Sequence, residues 1–292
     1  MADSAPALSP FDDLNAPQRA AATYGDAGPD GVQAGPLLII AGAGTGKTMT
    51  LAHRVAHLVL EGTDPERLLL LTFSRRAARE MTGRARRIVA RALAARSGRP
   101  EGDVRLPWAG TFHAIANRLL RDYAPNLGLD PSFSVLDRGD AADLMDVVRH
   151  RLDFSATRRR FPRKDTCLAI YSRTVNSRRA LGEVLETAWP WCLDWETELR
   201  TLFRAYAEAK LASAALDYDD MLLYWCHLMS EPELAAAVAA RFDQVLVDEY
   251  QDTNVLQAEI LKALSPDGAG VTVVGDDAQS IYAFRAAEVE NI

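Results

Sequence analysis

The chain has 292 residues, 48% of them hydrophobic, and a formal net charge of −7 at pH 7. That supplies apolar material for one large domain or two smaller ones and argues against a protein coated with positive charge. It leaves room for a local basic groove, because nucleic-acid binding depends on where the charge lies. No apolar run is long enough to span a bilayer, and residues 1–10 lack a basic stretch followed by an apolar one. A soluble, cytoplasmic protein without a membrane partner is therefore expected. Cys167, Cys192 and Cys226 are odd in number, far apart and outside any CxxC pattern. They read as reduced thiols, neither a disulfide framework nor a metal site.

Residues 1–10, rich in Ala, Ser and Pro, read as a disordered lead-in. Asn15 suits a helix N-cap with Pro17 in the first turn, which leaves Gln18 facing outward. Its amide carries a donor and an acceptor that match the edge of adenine. Residues 24–35 read as a loop without chemistry. Leu37–Ile40 is an apolar run expected to form a strand buried on both faces of a parallel sheet. It runs into Ala41-Gly42-Ala43-Gly44-Thr45-Gly46-Lys47-Thr48 and then an amphipathic pattern at Leu51, Val55, Leu58 and Val59. Strand, Gly-rich turn and helix are the context a phosphate-binding loop requires, with backbone N–H groups and a helix N-terminus directed at one anion. Lys47 is expected to reach the β- and γ-phosphates of ATP, and the Thr48 hydroxyl to hold Mg²⁺. Ala41 stands where the pattern usually begins with Gly.

A second strand is expected over Arg67–Phe73, ending in Thr72, Phe73 and Ser74 before a helix that opens with Arg75 and Arg76. Ligands of open α/β sheets bind at the carboxyl ends of strands. Hydroxyls there suit a phosphodiester, and a ring suits stacking on a base. The arginines of 75–87 fit a solvated helix face equally well, and residues 91–107 read as a polar loop. A third strand over Trp108–His113 ends in another polar and aromatic tip carrying Thr111 and His113. His113 has no partner at metal-ligand spacing, so a hydrogen-bonding role at the site edge is expected.

From Pro125 to Ser213 strand-like runs vanish and helical periodicity dominates, which reads as an inserted helical segment. It holds a basic cluster, Arg158–Lys164 around Phe161, suited to a solvated face or a phosphate backbone. Trp189, Trp191 and Trp195 read as a packed corner. Asp217, Asp219 and Asp220 suit the first turn of a following helix. Phe242–Val247 is then an apolar strand ending in Asp248 and Glu249. Asp248 is expected to hold Mg²⁺, and Glu249 to polarise the attacking water as general base. After a last strand at Val271–Val274, Gln279 is placed to sense the γ-phosphate. Tyr282, Phe284 and Arg285 offer two stacking rings and a cation for contact with bases.

The ordered set LNAPQ, AGAGTGKT, LTFSRRAAREM, GTFHA, LDYDDML, VLVDEYQDTN and VGDDAQSIYAFR resembles the N-terminal motor part of superfamily 1 DNA helicases of the UvrD/Rep type. The resemblance runs from about Phe11 to the last residue. It implies an α/β P-loop NTPase fold: a RecA-like parallel sheet flanked by helices, in two parts, 11–124 and 214–292, with a helical insertion at 125–213. It also implies adenine recognition by Gln18, phosphate and Mg²⁺ binding by Lys47 and Thr48, and hydrolysis through Asp248 and Glu249. Gln279 would couple hydrolysis to movement, and Phe73, Tyr282, Phe284 and Arg285 would grip single-stranded DNA. ATP-driven 3′-to-5′ unwinding at single/double-strand junctions, in repair or replication, is what such a family does. Three departures matter. Met49 replaces a frequent Arg that packs on the base, Phe284 replaces a more common Trp, and the chain stops at Ile292, before the family's second RecA-like domain and its arginine fingers. The residues alone are therefore expected to hydrolyse ATP slowly. A helicase–nuclease subunit, a non-motor binding module and a P-loop kinase are the competing readings.

Overall fold

The computed structural model describes residues 10–29, 31–42, 44–97, 104–154 and 160–276. Helix α1 (Ala16–Ala22) starts at a capping box. The Asn15 side chain accepts from the Gln18 amide, and the Gln18 side chain accepts from Asn15 N, so two otherwise orphaned donors are satisfied. Residues 24–35 are not a bare loop. Strands β1 (Asp26–Gly28) and β2 (Gly31–Gln33) form a small antiparallel hairpin, and Val32 is buried. Strand β3 (Leu37–Ile40) then leads into α2 (Lys47–Leu60). Next come β4 (Leu68–Thr72), α3 (Arg75–Ser97), β5 (Ala109–Thr111) and α4 (Phe112–Asp122). Helix α3 continues into the segment expected as a loop, because Arg91-Ala92-Leu93-Ala94 are strong helix formers and Ala92 is buried.

After β6 (Ser134–Val135) come α5 (Arg138–Arg151), α6 (Lys164–Ser177), α7 (Leu181–Ala188) and α8 (Glu196–Ala212). Strand β7 (Ala215–Leu216) pairs in parallel with β6, a two-residue ladder of which β6 lies inside the stretch expected to hold no strand and β7 just beyond it. The chain continues through α9 (Tyr218–Ser230), α10 (Pro232–Ala239), β8 (Gln244–Val247), α11 (Val255–Leu264) and β9 (Val271–Gly275).

Five parallel strands form the central sheet in the order β3-β9-β8-β4-β5. The continuous Leu and Val runs of β4 and β8 are buried on both faces, as such runs are in parallel sheets. One face packs on α4, α9 and α11 through Phe112, Trp225, Leu256 and Ile260. The other packs on α2 and α3 through Leu51, Val55, Met81 and Ala85. Strand β3 departs from its expected burial: Leu38 is 44% and Ile40 56% exposed. The reason is its place at the sheet edge. The core on that face includes Val271 and Val273 of the neighbouring β9 and stops there.

Helices α5 to α8 gather around their own core of Met145, Ile170, Leu199 and Tyr206. Trp189 and Trp195 pack on it, whereas Trp191 is 61% exposed. Phe161 is buried in this core, which takes its ring out of any nucleic-acid contact, and Lys164 pairs with Asp143. Arg158 and Arg159 lie outside the described residues. Among the described residues no helix is long and apolar enough to cross a membrane.

Candidate functional site

In an all-parallel sheet every strand delivers its carboxyl end to the same edge, so the turns after β3, β9, β8, β4 and β5 lie in one row. The turn after β3 carries Ala41, Gly42, Gly44, Thr45 and Gly46; Ala43 lies outside the described residues. Gly44 and Gly46 have φ of 75° and 87°, the left-handed region that side chains with a Cβ avoid. Gly46 is the N-cap of α2, and a Cβ there would stand 2.8 Å from Gln18 Nε2. Thr45 Oγ1 donates to Gly42 O at 2.7 Å, which closes the loop on itself. Gln18 Nε2 donates to Thr45 O at 2.8 Å while its Oε1 serves the α1 capping box. In this structure the Gln18 amide thus braces the loop with its nitrogen and caps α1 with its oxygen, where an outward-facing side chain was expected.

Lys47 and Thr48 occupy the first turn of α2. The Lys47 side chain is largely buried, and its Nζ donates to Asp276 Oδ2 at 3.2 Å. This pair joins the glycine-rich loop to the end of β9. Asp248 follows β8 and is buried, its amide donating to Leu71 O at 3.0 Å. Burial, and next the adjacent Glu249 charge, push its carboxyl up to about 6, while the Glu249 amide and Lys47 pull the other way. Asp248 Oδ1 is buried without a hydrogen-bond partner. An orphaned anionic oxygen of this kind fits a hard cation such as Mg²⁺, which takes oxygen ligands from one or two carboxylates and from substrate phosphates.

Glu249 adopts φ 53°, a left-handed conformation uncommon for a residue with a side chain. Its carboxylate is held from the side, since Gln251 Nε2 donates to Glu249 Oε2 at 2.7 Å. Gln251 Oε1 in turn accepts from Asp276 N at 3.0 Å. A chain of contacts therefore runs Glu249–Gln251–Asp276–Lys47. Gln251 and Asp276 were not singled out in the sequence, although both lie inside the quoted motifs DEYQD and GDD.

At the β4 and β5 ends the polar and aromatic tips divide into two roles. Thr72 is fully buried, and its hydroxyl donates to Ser74 O at 3.1 Å. It shapes the turn and is withdrawn from the phosphodiester contact expected of it. Phe73 is half-buried and Ser74 exposed, with Ser74 Oγ accepting from Ala77 N at the start of α3. Thr111 caps α4 by accepting from Ala114 N at 3.2 Å. The His113 ring meets Tyr218 of α9 edge-on at 5.4 Å, and Tyr218 is 39% exposed. Gln279, Tyr282, Phe284 and Arg285 lie outside the described residues.

A buried polar network behind this edge went unnoticed in the sequence. Lys210 Nζ, on α8, donates to Asp217 Oδ2 and Asp220 Oδ2, both at 2.6 Å. Tyr206 OH donates to Asp217 at 2.9 Å. Asp219 accepts from Ser172 and Asn176 of α6, and Asn176 Oδ1 accepts from Asn254 Nδ2 at 2.7 Å. Asn254 is the N-cap of α11, six residues beyond Asp248. One cation among three carboxylates leaves negative charge unbalanced. Burial first, and then the charge of Asp217, push Asp219 and Asp220 up to about 6. The three thiols are free, and burial raises each above its ordinary value, which makes them poor nucleophiles.

A family model described as UvrD/REP helicase N-terminal domain matches residues 26–292. The chain is 35% identical over 263 residues to the ATP-dependent DNA helicase PcrA of Leuconostoc citreum. It is 33% identical to PcrA of Staphylococcus aureus strain NCTC 8325 / PS 47 and 32% identical to DNA helicase II of Escherichia coli strain K12. Each match covers 88% of this chain and 33% of the relative, so the chain spans about one third of the length of these relatives.

Proposed function

Since the chain belongs to the UvrD/REP helicase N-terminal domain family, we propose that it is the ATP-binding motor domain of a DNA translocase or helicase that moves 3′-to-5′ on single-stranded DNA and serves repair or replication. One observation carries this reading. The ends of β3, β9 and β8 bring Lys47, Asp276, Asp248 and Glu249 into one connected site, and the ends of β4 and β5 continue the same sheet edge with Phe73, Ser74, Thr111 and His113.

The backbone N–H groups from Gly42 to Thr48 and the α2 N-terminus bind the phosphates, and Lys47 exchanges Asp276 for a phosphate oxygen. Asp248 and Thr48 would hold Mg²⁺, which when bound would neutralise phosphate charge. Glu249, fixed by Gln251, accepts a proton from the attacking water. Phe73 stacks on a base while Ser74, Thr111 and His113 hydrogen-bond the backbone of the strand, with Thr72 supporting the turn. Gln279, Tyr282, Phe284 and Arg285 complete the nucleotide and DNA contacts, and single/double-strand junctions are the substrate. Arginine fingers from a second RecA-like domain complete the transition-state site, and such fingers contribute ~10³–10⁵ in rate.

Steady-state ATP hydrolysis by these 292 residues, with and without oligo(dT) and with Glu249→Gln as blank, tests the reading. Slow Mg²⁺-dependent turnover above the blank is expected. Fast DNA-stimulated turnover would contradict the need for a second domain, and ATP hydrolysis equal in wild type and blank would contradict the role of Glu249.

A further inference from the structure

We infer that the arginine-rich outer face of α3 is a second binding track for the phosphodiester backbone of DNA, continuous with the Phe73–Ser74 tip; the inference rests on the DNA contact proposed for that tip. Residues 75–91 hold seven arginines against one glutamate in a chain whose net charge is −7. The buried stripe of α3 runs through Ala78, Met81, Ala85, Val89 and Ala92, at the spacing of one helix face. Arg76, Arg87 and Arg91 stand on the opposite arc, all exposed, and Arg75 and Arg79 flank them at the start of the helix.

Charge on this face is largely uncompensated. Some arginines elsewhere, the exposed Arg179 and Arg200 and the half-buried Arg67 and Arg241, lie against Glu183, Glu196, Asp243 and Asp122. On α3 the one acid, Glu80, is taken by Arg84. Among the described residues no acid pairs with Arg75, Arg76, Arg87 or Arg91. Uncompensated like charges along one face cost stability in the free protein and are relieved by a polyanion that releases its counterions.

A second observation comes from Gly83, in the middle of the same face. A Cβ built there meets nothing within 4 Å, so no packing inside the protein accounts for a glycine that costs about 1 kcal/mol in a helix interior. Its absent side chain leaves the helix backbone open to close approach between Arg76 and Arg87. From Arg76 to Arg91 the helix rises about 22 Å, the length of roughly six nucleotides at 3.4 Å each.

The test is fluorescence anisotropy of labelled oligo(dT) and of a labelled duplex, across a range of NaCl concentrations, with wild type, Arg87→Gln/Arg91→Gln and Phe73→Ala. Gln preserves helix propensity, and unchanged thermal melts would show that the variants fold. With the double variant the slope of log K against log salt should become shallower by about 1.4 for a single strand or about 1.8 for duplex, which also tells the two apart. Phe73→Ala should weaken single-strand binding with its slope kept. A double variant with wild-type slope and affinity on both DNAs would overturn the inference while leaving the Phe73 contact standing. Failure of wild type to bind either DNA would overturn the reading beneath it.

Discussion

Lys210→Met is expected to lower the free energy of unfolding by about 3–5 kcal/mol, a fall in melting temperature of roughly 10 °C. The side chain of Lys210 is almost wholly buried, with Asp217 and Asp220 at 2.6 Å and the Tyr171 and Tyr206 rings beside its ammonium. Removing the cation strands the carboxylates in a site where water cannot replace it. Met fills similar volume, so the loss isolates charge from packing. Asp217 and Asp220 also form the capping box of α9, and the neighbouring Asp219 connects through Asn176 to the N-cap of α11. Damage at Lys210 should therefore spread toward the helix that follows Asp248. Thermal and urea unfolding measure it. A change under about 1 kcal/mol would mean that the acids are held neutral and that the cation contributes little.

Glu249→Gln is expected to reduce ATP turnover by about 10²–10⁴-fold, with affinity for Mg·ATP within a few-fold of wild type. The substitution keeps shape and the ability to contact Gln251, and removes only the proton acceptor. The phosphate contacts proposed for Lys47 and the glycine-rich turn lie between the end of β3 and the start of α2, so binding should survive. Single-turnover hydrolysis of labelled ATP gives the rate independently of product release. Turnover within threefold of wild type would remove Glu249 from the role of general base.

The parts of this fold legible in the sequence were those written locally. Leu68–Thr72 and Gln244–Val247 show themselves as apolar runs, and the cap Asn15 and the acids that open α9 mark helix starts within four residues of chain, although Asp217 proves to be the N-cap and not a first-turn residue. The glycines of the turn between β3 and α2 are legible for the same reason, because the required φ leaves few alternatives. What escaped depends on distant partners. The exposure of Leu38 and Ile40 follows from strand order, which places β3 at an edge. The Lys47–Asp276 pair closes over 229 residues, and the Asn176–Asn254 bond over 78. Thr72 illustrates the limit at the site itself. A hydroxyl at a strand end reads as a ligand contact, yet a carbonyl two residues on absorbs its proton. Gln18 is similar, since its reach to Thr45 depends on how α1 lies against the loop.

The most direct measurement is equilibrium binding of a non-hydrolysable ATP analogue by calorimetry, with and without Mg²⁺, to wild type and Lys47→Ala. The account requires one saturable site per chain, weakened without Mg²⁺. It also requires a loss of roughly 10- to 150-fold with Lys47→Ala, the worth of one charge-assisted hydrogen bond at about 1.5–3 kcal/mol. Absence of saturable binding by wild type, or equal binding by Lys47→Ala, would contradict the assignment of the β3, β9 and β8 ends as a nucleotide site.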